Sequence, residues 1–291
     1  MPCFIKVMKK HIFGYRQIFL FPILLLIQSC SDADHAIKMK GSDTEVNLAV
    51  NLAEEFSKEN ADFSIAISGG GSGLGITALL NGQADIANSS RPLTEDEIEL
   101  FKEKNISLRT VVFAEDATAF VVNKENPLDS IDLKNLAEIL DGTQNSWNKL
   151  SNSTLPITIY GRQSSSGTYS FVKKKLKISF SQAAKEMTGN SQILESVKLD
   201  KSGIGYVGAG YISQNTNVQQ GIKVLKIIDK TNTAVSPLDQ EAIRENRYYF
   251  QRPLFQFIPE SSWKKVEPFI SFEKGVGGKA LIERSGYYVI D

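Results

Sequence analysis

The chain of 291 residues can hold one large domain or two smaller ones, and its 33 basic residues balance its 33 acidic residues. Its cysteines (Cys3, Cys30) and histidines (His11, His35) all lie within the first 35 positions. Residues 36–291 contain neither cysteine nor histidine. They therefore cannot form internal disulfides, thiolate or imidazole metal sites, or histidine-based catalytic triads.

The N-terminal thirty residues combine a basic start with an apolar run over 19–27. This pattern is typical of a signal peptide, and the run is too short to span a bilayer comfortably. The run ends at Cys30 in a sequence that resembles a bacterial lipoprotein box, although Gln28 replaces the usual small residue. We predict a lipoprotein signal peptide over 1–30, lipidation at Cys30 and a polar tether over 31–35. An unlipidated secreted protein is the alternative.

Strand and helix patterns alternate along the remaining chain, which favours an α/β fold. The apolar spacing predicts helices at 46–58, 76–80, 94–104, 133–140, 169–176, 263–273 and 277–285. It predicts strands at 37–40, 63–68, 85–90, 108–114, 118–123, 157–160, 203–208, 223–228 and 248–258. Residues 115–117 are interpreted as a break between strands, and Pro253 indicates an edge strand or a bend. Ser42 and Glu45 fit a capping box.

Three of the predicted strand-to-helix turns are rich in glycine, serine and threonine, at 41–45, 68–75 and 161–168. The first amides of a helix lack intrahelical partners and carry partial positive charge, so small residues there let an anion approach. Arg162 in the third turn would add a planar fork of donors suited to an oxyanion. We therefore predict that the three turns converge on one anion. An ordinary capped helix with a surface arginine is the alternative for the third turn alone.

With these turns, the chain resembles the phosphate-binding lipoproteins of bacterial phosphate ABC transporters, the PstS type. The matching stretches are 41–44, 69–75, 85–93, 162–168, 204–207 and 252–254. The resemblance implies a type II periplasmic-binding-protein fold, in which two α/β lobes are joined by two crossover strands. Lobe 1 would comprise 36–114 and 248–291, and lobe 2 would comprise 115–247.

The resemblance also implies a set of phosphate-binding residues, drawn from both lobes. They are Ser42, Thr44, Ser72 and Ser90 from lobe 1, and Arg162, Ser166, Gly167 and Thr168 from lobe 2. Arg91 is either a second cation for the ligand or the partner of an acid such as Asp96 or Glu97.

Two positions depart from the best-known branch of that family. Ser90 replaces a carboxylate that accepts the phosphate proton, and Ser164 replaces an aspartate that braces the arginine. If the protein discriminates against sulfate, another carboxylate must accept the proton, and Asp43 and Asp116 are the two candidates. The alternative is that Asp43 only favours the start of a helix and Asp116 only forms a turn.

The resemblance thus implies a non-enzymatic receptor, without cofactor or metal, that binds inorganic phosphate with high affinity and delivers it to an ABC permease. It would be an exported monomer, anchored by lipid on the periplasmic or extracellular side of the membrane, with no nucleic-acid partner. The alternatives are a receptor for sulfate or molybdate, a phosphate-sensing surface lipoprotein without a transport role, and a phosphatase.

Overall fold

A computed structural model describes residues 36–213 and 220–290. The predicted signal peptide, Cys30 and the tether lie outside these residues. Within them, no helix has both the length and the apolar character needed to cross a membrane.

The described strands form one curled, mixed sheet system. They are β1 (Ile37–Gly41), β2 (Ile65–Ser68), β3 (Ile86–Ser89), β4 (Leu108–Asn123), β5 (Ser130–Asp132), β6 (Thr158–Arg162), β7 (Lys185–Met187), β8 (Gly203–Gly208), β9 (Ile222–Ile228), β10 (Ala234–Val235) and β11 (Gln251–Pro259).

The described helices lie between these strands and at the C-terminal end of the chain. They are α1 (Val46–Glu59), α2 (Ser72–Leu80), α3 (Glu95–Glu103), α4 (Leu133–Leu140), α5 (Gly167–Leu176), α6 (Asn190–Leu199), α7 (Ala209–Ser213), α8 (Gln240–Arg244), α9 (Trp263–Lys274) and α10 (Val276–Arg284), with short 3-10 turns at Trp147–Lys149 and Glu260–Ser262.

The first half of the sheet system, here called the first sheet, has the order β2-β1-β3-β11-β4. Strands β1, β2 and β3 are parallel, whereas β11 runs antiparallel to both β3 and β4. One apolar cluster packs it against α1, α9 and α10, and a smaller cluster packs it against α2 and α3. Strand β3, inside the sheet, is buried along its whole length, whereas β1 and β2 alternate between more and less exposed residues.

The second sheet has the order β4-β8-β6-β7, and β9 joins β4, β5 and β10. Its own core includes Trp147, Phe120 and Tyr206, each fully buried. The carboxyl ends of β1 and β2 in the first sheet and of β6 in the second are each followed by the N-terminus of a helix, namely α1, α2 and α5. That arrangement is where open α/β sheets bind ligands.

Strand β4 belongs to both sheets, so the predicted break at 115–117 is wrong. The chain leaves the first core at Ala114 and enters the second at Ala117 without interrupting the strand. Glu115 pairs with Tyr288, and Asp116 lies opposite Arg252 of β11, so tertiary partners offset the poor strand propensity of these acids. The predicted limits of the two lobes remain a prediction.

Strand β11 pairs with β4 from Gln251 to Pro259 but with β3 only at Phe255, Gln256 and Phe257, so Pro253 has a ladder partner on one side alone, as at an edge. A bend is present as well, because the register of the β11–β4 pair shifts between Leu254 and Phe255, just after the proline. A bulge of this kind is where a sheet tolerates proline.

The N-terminal cap predicted from the sequence is present at α3 but absent at α1. Thr94 and Glu97 form a complete capping box. Helix α1 begins at Val46 behind Glu45 and has no side-chain cap, so the capping box predicted for Ser42 and Glu45 is wrong. The chain there is instead tied to β3 by the bond from the Ser42 amide to the Asn88 carbonyl, at 2.9 Å.

Candidate functional site

The three predicted turns do meet, between the two sheets. The hydroxyl oxygens of Thr44, after β1, and Thr168, at the start of α5, lie 3.0 Å apart. Ser72, the first residue of α2, accepts a hydrogen bond from the Ser90 amide at 3.1 Å. Ser166 caps α5 by accepting from the Tyr169 amide. All five side chains are at most 1% exposed, so the hydroxyls form one buried cluster.

Gly167 is required for this close approach. A Cβ atom at position 167 would lie 2.3 Å from the Ser72 hydroxyl and 2.5 Å from the Ser90 hydroxyl. Any larger residue would therefore push the start of α5 away from the first sheet. The serine and glycine positions inferred from the sequence are thus brought together as predicted.

Arg162 ends β6, close in sequence to Ser166 and Thr168, and is buried, with 2% of its surface exposed. One terminal nitrogen donates to the Thr188 carbonyl at 3.0 Å, and the other forms a long ion pair with Asp43 at 3.5 Å. Burial lowers the pKa of Arg162, and Arg252 adds to this effect whereas Asp43 opposes it. A buried cation with so long a pairing distance would be stabilised further by an anion.

Arg252 is a second buried cation, which the sequence reasoning did not assign. It extends from β11, and one terminal nitrogen lies within hydrogen-bonding distance of Thr44 at 3.2 Å, Thr168 at 3.1 Å and Asp116 at 3.0 Å, so its two hydrogens are shared among three acceptors. The other terminal nitrogen lies 3.4 Å from the Ser90 carbonyl. Arg252 therefore contacts residues from two of the converging turns and also the residue that follows β3.

The only signal for Arg252 in the sequence was its place in the stretch 252–254, which resembles the corresponding stretch of PstS-type proteins. An arginine beside a proline reads as an exposed edge residue in the sequence alone. Its role depends on the pairing of β11 with β4, which places Arg252 opposite Asp116 and which no local pattern reveals.

Asp116 is fully buried beside these groups. Its carboxylate pairs with Arg252 and lies 3.4 Å from the donating amide of Gly210. Burial raises the pKa of Asp116, and the ion pair with Arg252 opposes the rise. A Cβ atom at Gly208 would lie 2.6 Å from the Thr44 methyl carbon and 3.2 Å from Asp116, so Asp116 is close to Thr44.

Asp43 occupies a different position, at the edge of the cluster, with 20% of its side chain exposed. Its carboxylate accepts from the Asn190 amide at 2.7 Å and faces Arg162. Ser164, which stands where a bracing aspartate was expected, is exposed. The acidic brace for Arg162 therefore comes from the first turn rather than from the turn that carries the arginine.

Arg91 follows the second of the two alternatives. Both of its terminal nitrogens donate to Glu97, each at 2.7 Å. Burial raises the pKa of Glu97, but the bonds from Arg91 and the Thr94 amide outweigh it, so the pKa is lowered. The acid that pairs with Arg91 is thus Glu97 and not Asp96. Arg252, rather than Arg91, is the second cation in contact with the cluster hydroxyls.

Several buried donors at the cluster lack a hydrogen-bond partner within the described residues. They are the Ser42 hydroxyl and the Nε atoms of Arg162 and Arg252. Buried donors are rarely left unsatisfied, because each costs about 1–3 kcal/mol. Two guanidinium groups and a hydroxyl with free donors suit a small oxyanion with several acceptor atoms.

A groove of about 720 Å³ opens beside this cluster and shares Ser90 and Arg252 with it. Its wall includes Phe171 and a group of lysines from the end of α5, namely Lys174, Lys175 and Lys177. The groove is far larger than a tetrahedral oxyanion requires, so we assign the anion to the buried hydroxyls and guanidinium groups rather than to the groove.

Two sheets that enclose a cationic, hydroxyl-rich cluster define a two-lobed ligand-binding protein of the periplasmic type. The PBP superfamily domain matches residues 28–272 of this chain. The phosphate-binding protein PstS of Staphylococcus aureus is 31% identical over 264 residues, covering 88% of this chain and 79% of that protein. Protein SphX of Synechococcus elongatus is 30% identical over 271 residues, covering 89% and 78%. The chain therefore belongs to the PBP superfamily, among its PstS-like members.

The fold agrees with this assignment. A substrate-binding protein from Clostridium perfringens, solved with bound phosphate, superimposes with a TM-score of 0.78 over 88% of this chain and 100% of its own. The two share 22% sequence identity, so the likeness concerns the fold alone.

Proposed function

We propose that this protein is a non-enzymatic receptor that binds inorganic phosphate outside the cytoplasm and delivers it to an ABC permease. The observation that carries the proposal is the buried cluster in which Arg162 and Arg252, from different sheets, lie with hydroxyls from three turns. Its PstS-like membership supports phosphate as the ligand. The proposed ligand contacts are Ser42, Thr44, Ser72, Ser90, Arg162, Ser166, Gly167 and Thr168, with Arg252 added.

The two sheets would act as lobes that close on the anion, with limits at 36–114 plus 248–291 and at 115–247. Strands β4 and β11 would be the two crossovers, since β4 contributes to both cores, and Phe250, directly before β11, lies in the second core while Leu254 of β11 lies in the first. We further propose that the protein is a monomer held at the membrane by a lipid on Cys30. Mass spectrometry of the membrane-extracted protein should find a diacylglyceryl modification at Cys30, and an unmodified cysteine there would contradict the anchor.

Asp116 is the better placed of the two candidate proton acceptors. It is buried next to Thr44 and Arg252, whereas Asp43 lies at the edge of the cluster with 20% of its side chain exposed. A buried carboxylate accepts the proton of hydrogen phosphate and repels fully ionised sulfate. Asp116 would thus provide the discrimination that Ser90 cannot.

Isothermal titration of the purified protein with phosphate, sulfate and molybdate tests the function. We expect one phosphate per chain and much weaker binding of sulfate. Tight binding of sulfate or molybdate without phosphate would make it a receptor for another oxyanion. In Asp116→Asn we expect sulfate to gain affinity relative to phosphate. An unchanged ratio would exclude Asp116 as the acceptor.

A further inference from the structure

Asp43 joins the two sheets in a way that the ligand contacts alone do not require. It follows β1 of the first sheet, yet its carboxylate accepts from the amide of Asn190, the first residue of α6 beside the second sheet, at 2.7 Å. The Asn190 side chain donates in return to the Asp43 carbonyl at 3.2 Å. The two residues thus form a reciprocal pair between segments 147 positions apart.

Helix α6 has no cap of its own. Gly189 occupies its N-cap position and offers no side-chain acceptor. A Cβ atom at position 189 would lie 3.1 Å from both carboxylate oxygens of Asp43. The absence of a side chain at Gly189 therefore makes room for Asp43, whose negative charge suits the positive end of the helix dipole.

The same carboxylate also faces Arg162 at 3.5 Å. Arg162 is otherwise held by the Thr188 carbonyl, which precedes Gly189, and its Nε is buried without a partner in the described residues. Asp43 therefore links the helix start and the orientation of Arg162 to the turn that carries Ser42 and Thr44.

Two of the neighbouring bonds between the sheets are neutral. Gln163 donates to the Gly70 carbonyl at 2.9 Å, and the Gly73 amide donates to the Ser165 carbonyl at 2.9 Å. Bonds that involve a charged group are about twice as strong as neutral ones. Asp43 should therefore contribute more to holding the two segments together than either of these contacts.

We propose that Asp43 is a positioning residue that closes the protein on its ligand, by capping α6 across the cleft and orienting Arg162. This inference rests on the proposed function. Because the contacts form only when the sheets are together, their loss should accelerate release of the ligand more than it slows capture.

The test is stopped-flow measurement of phosphate association and release for the purified parent protein, Asp43→Ala and Asp43→Asn. We expect Asp43→Ala to release phosphate about tenfold faster or more, with association changed by less than about threefold, since charge-assisted bonds are lost only from the closed state. Asp43→Asn keeps an acceptor for the Asn190 amide and should be intermediate. Gly189→Ala, which crowds Asp43 without removing it, should also accelerate release.

Asp96→Ala is the matched control, because Asp96 is exposed on α3 and should leave both rates unchanged. Parental release rates in Asp43→Ala would overturn the proposal. A gain of sulfate affinity in Asp43→Asn would overturn it as well, since a proton acceptor rather than a positioning residue changes selectivity.

Failure of the proposed function has a different signature. If the parent took up no phosphate, hydrogen exchange at the start of α6 would still decide the role of Asp43. Faster exchange of the Asn190 amide in Asp43→Ala than in the parent would support the cap, and equal exchange would overturn it.

Discussion

The two buried arginines of the site are held in contrasting ways. Arg252 and Asp116 lie directly opposite each other on the adjacent strands β11 and β4, at 3.0 Å, with 2% and 0% of their side chains exposed. Arg162 and Asp43 come from different sheets, at 3.5 Å, and 20% of the Asp43 side chain is exposed. The first pair is part of the folded frame, whereas the second depends on the two sheets being together.

We therefore expect the Arg252–Asp116 pair to contribute mainly to the stability of the fold, and the Arg162–Asp43 pair mainly to closure of the two sheets on the ligand. A buried ion pair is costly to break from one side, because the remaining charge is left unpaired in a low-dielectric interior. A partly exposed aspartate that loses its partner is instead solvated by water. Substitutions at the two arginines should therefore have different consequences for folding, although both should weaken ligand binding.

The largest effect is expected for Arg252→Ala. Removing this guanidinium leaves the Asp116 carboxylate buried and unpaired, which should lower the free energy of unfolding by about 3–5 kcal/mol. Urea denaturation measures the loss, and titration calorimetry should find phosphate binding abolished. The double variant Arg252→Ala, Asp116→Asn should recover part of the stability but no binding. If Arg252→Ala kept both the stability and the phosphate affinity of the parent, the Arg252–Asp116 pair would support neither the fold nor the binding site.

The next effect concerns Glu45, a carboxyl group buried behind the first turn near this frame. Burial raises the pKa of Glu45 to about 8, and the positive charge of Arg252 opposes this rise only in part. Because the folded state favours protonated Glu45, this stabilisation is fully present below pH 4.5, the pKa of the group in the unfolded chain. It is lost as the pH rises through the folded-state pKa of about 8. Each unit of pKa corresponds to roughly 1.4 kcal/mol, so the loss should amount to several kcal/mol.

Glu45→Gln should remove this contribution and make the protein more stable than the parent at alkaline pH, as measured by urea denaturation at several pH values. Glu273→Gln is the matched comparison, because burial also raises the pKa of Glu273 to about 8, beside Gln256. Glu273 contacts none of the proposed ligand residues, so its variant should change stability without changing phosphate affinity. Parallel pH profiles for the parent and Glu45→Gln would contradict the prediction.

Arg162→Ala should be the clearest contrast to Arg252→Ala. It removes a charge-assisted contact worth about 1.5–3 kcal/mol of phosphate affinity. Asp43 keeps its bond from the Asn190 amide and its partial exposure, so unfolding should change little. Calorimetry and denaturation on the same sample measure both quantities. A loss of stability as large as that of Arg252→Ala would erase the distinction between the two pairs.

The smallest effect is expected for a single hydroxyl. Thr168→Ala should weaken phosphate binding by about 1 kcal/mol, the usual worth of a neutral hydrogen bond. Ser170→Ala is the control on the same helix, since its hydroxyl bonds to the Ser166 carbonyl instead. If Thr168→Ala and Ser170→Ala bind phosphate alike, the hydroxyl of Thr168 does not contact the ligand.

Some parts of this protein depend only on neighbours along the chain and could be predicted from the sequence. Glycine, serine and threonine after short apolar runs predicted the three turns, and apolar spacing predicted α1, α2 and α5 near their observed positions. Local rules suffice there, because a helix start needs small or capping residues and a strand needs an apolar run.

Which charges face the cluster depends on tertiary contacts. Arg252 became a site residue because β11 pairs with β4 and places it opposite Asp116, and Asp116 remained in a strand because Arg252 pairs with it. Asp43 became the brace of Arg162 because two sheets approach each other, across 119 positions of sequence. Such pairings depend on contacts between distant segments, where the Coulomb energy of a buried charge outweighs the local propensity of its residue.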